Sequence, residues 1–113
     1  MATVYNIYQG DTGPIMKPRP SVLDDGVTLD ADWHCYINVI DSSGTEVVPK
    51  REVTDKTADN LRWIAALLPA ETATIPVSND FHTMVIEVVN ATTIPPFNVE
   101  KHYSIAVHKQ GIV

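Results

Sequence analysis

The chain has one cysteine and no long apolar run, and these two shortages exclude several classes of protein. Because Cys35 is the only cysteine among 113 residues, no disulfide can form within the chain, and the fold depends on its core, as is typical of proteins made in a reducing cytoplasm. No apolar run approaches the roughly 20 residues that cross a bilayer. Residues 1–5 lack the charged and apolar regions of a signal peptide. We therefore expect synthesis in a cytoplasm and no membrane partner.

Basic residues are also scarce. Eight Lys and Arg residues stand against 14 Asp and Glu residues, which gives a net charge of -6 and a pI near 4.9. A surface of this sign repels phosphate backbones, and no basic stripe interleaved with aromatic residues offsets it. We expect no nucleic-acid partner.

Enough apolar material is present for one core. With 113 residues and 44% apolar composition, the usual domain size leaves no room for a second core, so residues 1–113 are expected to form a single domain. The eight prolines and five glycines are scattered among apolar runs, which is typical of many short elements joined by turns. Because apolar strands are predicted at both ends of the chain, we expect no tail or linker.

Apolar residues recur with a period of two, which is typical of strands buried on one face. The β-branched content and the turn spacing predict an all-β fold, an antiparallel β-sandwich of about seven or eight strands. The alternating sets are Trp33, Cys35, Ile37 and Val39, then Met84, Ile86 and Val88, and finally Tyr103, Ile105 and Val107.

Turn residues separate these strands. Gly10 and Asp11 are expected in a tight turn, where glycine supplies the unusual dihedral angles and the Asp11 side chain accepts from backbone donors. Gly26, after Asp25, predicts a second turn, and Gly44 within residues 42–45 closes a hairpin. Segments 17–20 and 93–96 contain prolines and are expected to be extended edge or crossover pieces.

Residues 61–68 are ambiguous between strand and helix. Asp59 or Asn60 could cap a helix, and the segment holds good helix formers. Eight residues ending at Pro69 match a strand better, so we expect a strand there, with a single helical turn over residues 69–72.

Residues that could support chemistry occur without a recognised pattern. His34, His82, His102 and His108 lack metal-ligand spacing, and the last two lie about 20 Å apart along one strand; we expect all four on solvent faces. The acids Asp24, Asp25, Asp30 and Asp32 do not follow an EF-hand. Cys35 lies mid-strand, where a thiol is an inert hydrophobe with a raised pKa. Trp33 and Trp63 are expected in the core. We expect no catalytic, cofactor-binding or metal-binding residues and no enzyme.

Residues 5–48 resemble a known family. The strand into Gln9-Gly10-Asp11-Thr12, the stretch Asp25-Gly26-Val27-Thr28-Leu29 and the strand 33–41 closed by Asp41-Ser42-Ser43-Gly44 are similar to the opening of the immunoglobulin-like domain at the N-terminus of phage baseplate upper proteins and related virion proteins. Residues 61–113 resemble that family's later strands more weakly. The resemblance implies an immunoglobulin-like sandwich and a non-enzymatic structural protein of the phage virion, made in the host cytoplasm.

The family's long C-terminal continuation is missing from this sequence, which favours a small protein that docks onto the capsid or tail, as decoration, cement or baseplate or fibre attachment. Its partners would be other virion proteins, in several copies within a symmetric assembly. The expected contact residues are Tyr5, Tyr8, Ile94, Pro95, Pro96 and Phe97, with burial of the last four in the protein's own core left open. The alternative is a carbohydrate- or receptor-binding module, with exposed aromatic residues and loop acids at one end.

Overall fold

The computed structural model describes residues 4–18 and 29–109, and its main feature is a five-stranded sheet. In chain order the elements are β1 (Val4–Tyr8), β2 (His34–Ile40), β3 (Glu46–Val53), α1 (Pro69–Thr72), β4 (His82–Asn90) and β5 (Phe97–His108). The order across the sheet is β1-β5-β4-β2-β3. The fold is mostly β, as the alternating pattern predicts.

In the described residues, the sheet differs from the predicted antiparallel sandwich in two details. The sheet is mixed, because β1 runs parallel to β5 while the other three pairs are antiparallel. Five strands form where seven or eight are expected. Alternation reports which face of a strand is buried, but it contains no information about the neighbour or direction that the strand takes.

The buried face of the sheet follows the predicted alternation. Cys35, Ile37 and Val39 on β2 have no exposed surface. They lie opposite Val88, Ile86 and Met84 on β4, in that order, and all three of these are buried. Ile105 and Val107 continue the same face onto β5. This apolar stripe across three strands is the centre of the core.

A layer of extended chain covers that face. Trp63, Ala65 and Leu67 are buried and alternate along residues 61–68, and Ala65 exchanges two backbone hydrogen bonds with Met16, 2.7 and 2.8 Å long. Residues 61–68 make only isolated bridges, so both the predicted strand and the alternative helix are wrong. Pro14 and Pro18 in the facing segment have no N–H to donate, so a continuous ladder cannot form.

Proline-bearing segments take different roles. The helical turn predicted at residues 69–72 is α1, which begins with Pro69. Residues 93–96 belong to the short connection between the adjacent antiparallel strands β4 and β5, so the prediction of an edge or crossover piece is wrong there. Lys17 and Pro18 lie in the covering layer, whereas residues 19–20 are outside the described ranges. In those ranges the structure has no helix long and apolar enough to cross a membrane.

Candidate functional site: the β4–β5 loop end

The predicted contact residues lie at two separate places in the sheet. Tyr8 pairs with His108 at one end of β5, and Phe97 begins the other end of the same strand. Tyr5 pairs with Ile105, about 26 Å from Phe97 at 3.3 Å per residue. The structure therefore divides the six predicted residues into a β1 group and a loop group.

The β4–β5 loop (residues 91–96) presents an apolar tip. The side chain of Ile94 is 99% exposed, Pro95 and Pro96 beside it are exposed as well, and the Ile94–Pro95 peptide bond is cis. A fully exposed isoleucine costs roughly 1.5–3 kcal/mol relative to a buried one. Such a residue at the tip of a loop is a candidate contact for another protein.

Polar side chains hold this loop from within. Asn90 is buried, and its Oδ1 accepts hydrogen bonds from the Thr92 N–H at 2.9 Å and the Thr92 hydroxyl at 2.6 Å. The Thr93 hydroxyl lies 2.8 Å from the carbonyl of Pro95 and 3.2 Å from that of Asn90. These bonds join the loop to itself and to the last residue of β4, so Ile94 is presented on an ordered support.

An open apolar cleft of about 420 Å³ lies under the loop. Phe97 is half-buried and meets Trp33 edge to face, with ring centroids 5.3 Å apart. Trp33 is only 7% exposed, so it is mainly a core residue, as expected. Only the edge of its ring reaches the cleft. The described lining is Trp33, Thr93, Pro95, Pro96, Phe97, Asn98 and Val99.

A second cleft of about 170 Å³ also borders Trp33 and is called the polar cleft here because charged side chains contribute to its lining. His34 Nδ1 and a Glu52 carboxylate oxygen are 2.7 Å apart within it, and Asp30 and Lys56 add charge to the lining. Within residues 4–18 and 29–109, no group of three His, Cys, Asp or Glu side chains is placed to hold a metal ion.

The β1 group is less uniform. Tyr5 is half-buried and packs edge to face on Tyr103, with centroids 5.9 Å apart. Burial raises the pKa of Tyr103, and the neighbouring Tyr5 and Cys35 act in the same direction. Tyr8 is 44% exposed and stacks on His108 at 5.0 Å. Tyr5 thus contributes to the core, and Tyr8 is the one that faces solvent.

The glycine turns lie at the same end of the sheet as Tyr8. Gly10 has a φ of 86° and Gly44 a φ of 87°, values that favour glycine. The Asp11 N–H donates to the Tyr8 carbonyl at 3.0 Å, and the Asp11 carbonyl accepts from the Thr72 hydroxyl at 2.6 Å. Among the described residues the Asp11 carboxylate has no hydrogen-bond donor, unlike the expectation. Gly26 lies outside the described ranges.

The sequence analysis did not identify two buried polar residues, His82 and Thr72. His82 is 4% exposed, and its Nε2 lies 2.9 Å from the Pro76 carbonyl, so the expectation of four solvent-facing histidines is wrong. The available signal was parity, because residues 82, 84 and 86 share one strand face. Thr72, which has no exposed surface, had no such signal because its partners lie far away in sequence.

Comparisons of this chain with protein-family models, with curated proteins and with solved structures found no match.

Proposed function

We propose that this chain is a non-enzymatic structural protein of a phage virion, which docks onto a capsid or tail protein through its β4–β5 loop. The observation that supports this proposal is the 99% exposed Ile94 on a loop held by Asn90 and Thr93. An ordered apolar tip beside an apolar cleft suits a permanent protein contact, because little conformational freedom is lost when the tip is buried.

An immunoglobulin-like sandwich is our proposal for the complete fold. In variable-type immunoglobulin domains one sheet holds strands C″, C′, C, F and G, and the other holds A, B, E and D. The order β3-β2-β4-β5 matches the C′-C-F-G part of the first sheet. Residues 13–18, 62–67 and 55–57, which bond to one another in pairs, occupy the positions of B, E and D. The β4–β5 loop then corresponds to the F–G loop, one of the binding loops of variable domains.

Docking through one loop is weak for a single copy. An interface that is stable alone buries about 1,200–2,000 Å², more than one loop tip offers. A virion surface repeats its binding positions, so contacts of modest strength give lasting attachment once copies also touch their neighbours. The proposed mechanism is occupancy of a repeated surface, with no turnover.

Co-sedimentation with empty capsids and with isolated tails tests the proposal. We expect saturable binding to one of the two particles at a fixed ratio, and at least about tenfold weaker binding of Ile94→Asp. Val77→Asp is the matched control, since Val77 is also exposed, at 50%, in another loop. Absence of binding to either particle, or equal losses in the two variants, would argue against docking through this loop.

The second candidate function is binding of a carbohydrate or receptor at the polar cleft. Asp30, Glu52 and Lys56 beside Trp33 are the polar groups that a glycan could engage. Glycan-array binding that Glu52→Gln abolishes, with particle binding absent, would favour this function. It ranks second because Trp33 leaves only 7% of its surface exposed for stacking.

A further inference from the structure

The two edges of the sheet differ in their protection. The β3 edge contains Pro49 followed by the charged residues Lys50, Arg51 and Glu52, and its register with β2 shifts on both sides of Val39. Prolines, charges and bulges are features that prevent edge strands from pairing with other chains. The β1 edge, Val4–Tyr8, has neither a charge nor a proline and pairs with β5 without a shift. No strand of the described ranges pairs with its outer side.

The backbone of β1 directs alternate residues outward. The Gln9 N–H donates to the His108 carbonyl at 3.0 Å, so the odd-numbered residues are those that bond to β5. Because successive residues of a strand direct their backbone groups to opposite sides, Val4, Asn6 and Tyr8 direct theirs away from the sheet. The outer edge therefore presents regularly spaced donors and acceptors, among which the Tyr8 carbonyl already accepts from the Asp11 N–H.

The side chains of β1 are self-complementary. Val4 is 37% exposed and Tyr8 is 44% exposed, and they share one face with Asn6 between them. If a second β1 lies antiparallel with the two Asn6 residues opposite each other, each Val4 faces the Tyr8 of the other copy. Pairs of β-branched and aromatic residues stabilise antiparallel strands. The strand is uncharged, so two chains of net charge -6 bring no like charges together along it.

We propose that β1 is a self-association edge, through which two copies pair antiparallel about a two-fold axis at Asn6 and join their sheets into one. The odd-numbered residues stay bonded to β5, so only the even-numbered residues can bond to the second copy. The two strands overlap over their full length only when Asn6 lies opposite Asn6. About four backbone hydrogen bonds would form, because the outward carbonyl of Tyr8 already accepts from the Asp11 N–H at 3.0 Å. The contact is isologous, so it closes at two copies, and it is independent of docking through the β4–β5 loop at the other end of β5.

Solution mass against concentration is the first test, by light scattering from micromolar to millimolar protein. We expect a monomer–dimer equilibrium for the wild-type chain. Val4→Lys places a charge on the edge. Asn6→Pro removes an outward N–H and no backbone bond to β5, and it also removes the side-chain contact of Asn6 Oδ1 with His108 Nε2 at 3.0 Å. Each should raise the dimer dissociation constant by at least about tenfold. Circular dichroism and thermal melting verify that both variants are folded. Ile94→Lys is the control: it adds the same charge in the β4–β5 loop, at the other end of β5, and should keep the dimer.

Disulfide trapping tests the register. Asn6 residues opposite each other have Cα atoms about 5.5 Å apart, within the range of a disulfide, whereas two Val4 residues lie about 13 Å apart. In a glutathione buffer we expect Asn6→Cys to form a covalent dimer and Val4→Cys to stay monomeric. Cys35 is buried and is common to both variants.

Three results would overturn the proposal. The wild-type chain could remain monomeric at every concentration, with Asn6→Cys untrapped. A dimer unaffected by both Val4→Lys and Asn6→Pro would place the association elsewhere. Equal trapping of the two cysteine variants would exclude the two-fold register. Particle binding that Ile94→Asp weakens and Val4→Lys leaves unchanged separates this association from docking through the loop.

Discussion

Arg51 on the edge strand β3 and Glu71 in α1 form a two-point ion pair, with Nε–Oε2 and Nη2–Oε1 distances of 2.7 and 2.9 Å. Arg51 Nη2 also donates to the Ala66 carbonyl at 2.7 Å, and Glu71 Oε1 accepts from the Leu68 N–H at 2.8 Å. One pair of side chains thus links the edge of the sheet, the covering layer and the helical turn.

Loss of this pair should destabilise the fold. Arg51→Met leaves a partly buried carboxylate without its partner, and we expect the free energy of unfolding to fall by about 1–3 kcal/mol. Urea unfolding measures this fall in the free energy of unfolding. Arg62→Met is the matched control, because Arg62 makes a single exposed bond to the Lys17 carbonyl. A double-mutant cycle with Glu71→Gln should give a coupling above about 0.5 kcal/mol; additive effects would contradict a direct interaction.

The same pair should make stability depend on pH. Burial alone would raise the pKa of Glu71, but the hydrogen bonds from Arg51 and the Leu68 N–H, with the charge of Arg51, lower the pKa from its usual 4.5. A lowered pKa contributes stability that is present above pH 4.5 and is lost as pH falls through the folded-state value. Glu71→Gln should therefore lose less stability than the wild type on acidification below pH 4.5. Identical pH profiles would show that Glu71 is not responsible.

The Thr72 hydroxyl should be needed by the turn after β1. Its oxygen accepts from the Gly10 N–H at 3.0 Å and lies 2.6 Å from the Asp11 carbonyl. Thr72→Val keeps the shape but leaves these partly buried backbone groups without a partner, which should cost about 1–3 kcal/mol. Thr74→Val is the control, since the Thr74 hydroxyl bonds to a carbonyl in an exposed setting. Equal denaturation midpoints for the two variants would contradict this role.

Gly44 should resist replacement because of its dihedral angle, not because of crowding. A Cβ at Gly44 would meet no atom within 4 Å, but φ is +87°. We expect Gly44→Ala to cost about 1–2 kcal/mol, and Gly44→Asn to cost less because asparagine tolerates the left-handed region. At Gly13, by contrast, a Cβ would lie 3.1 Å from the Leu67 Cβ. Equal melting temperatures for the two Gly44 variants would argue against strain.

Cys35 should be unreactive in the folded protein. Burial raises the pKa of the thiol to about 12, and the carboxylates of Glu52 and Glu87 act in the same direction. An aromatic disulfide reagent at neutral pH should label no thiol in the native chain and one per chain in guanidinium, because the thiolate is the reactive form. The raised pKa also means that stability is lost as pH rises from 9.0 toward 12, a loss that Cys35→Ala should reduce. Rapid native labelling would mean that β2 opens locally.

Much of the strand pattern could be predicted. The buried faces of β2 and β4 follow a period of two, which depends only on the geometry of an extended chain. The helical turn at Pro69 follows from proline at the first helical position. For Ile94 the sequence left exposure and burial open, and only the structure shows the exposed tip. His82 could have been placed in the core by its parity with Met84. The conformation of residues 61–68 could not be predicted from the sequence, because their pairing depends on the prolines of a segment about 50 residues earlier in the chain.

The sequence by itself determined the local features: which residues of each strand face the core, where glycine must occupy a turn, and where proline begins the helical turn. These features arise from steric limits within a few residues. The tertiary structure alone decided that β1 lies beside β5 and parallel to it, that Arg51 meets Glu71, and that Thr72 bonds to Gly10 and Asp11. Such contacts join residues 20 to about 100 positions apart, and they form only where packing brings backbone groups that need partners together with side chains able to supply them.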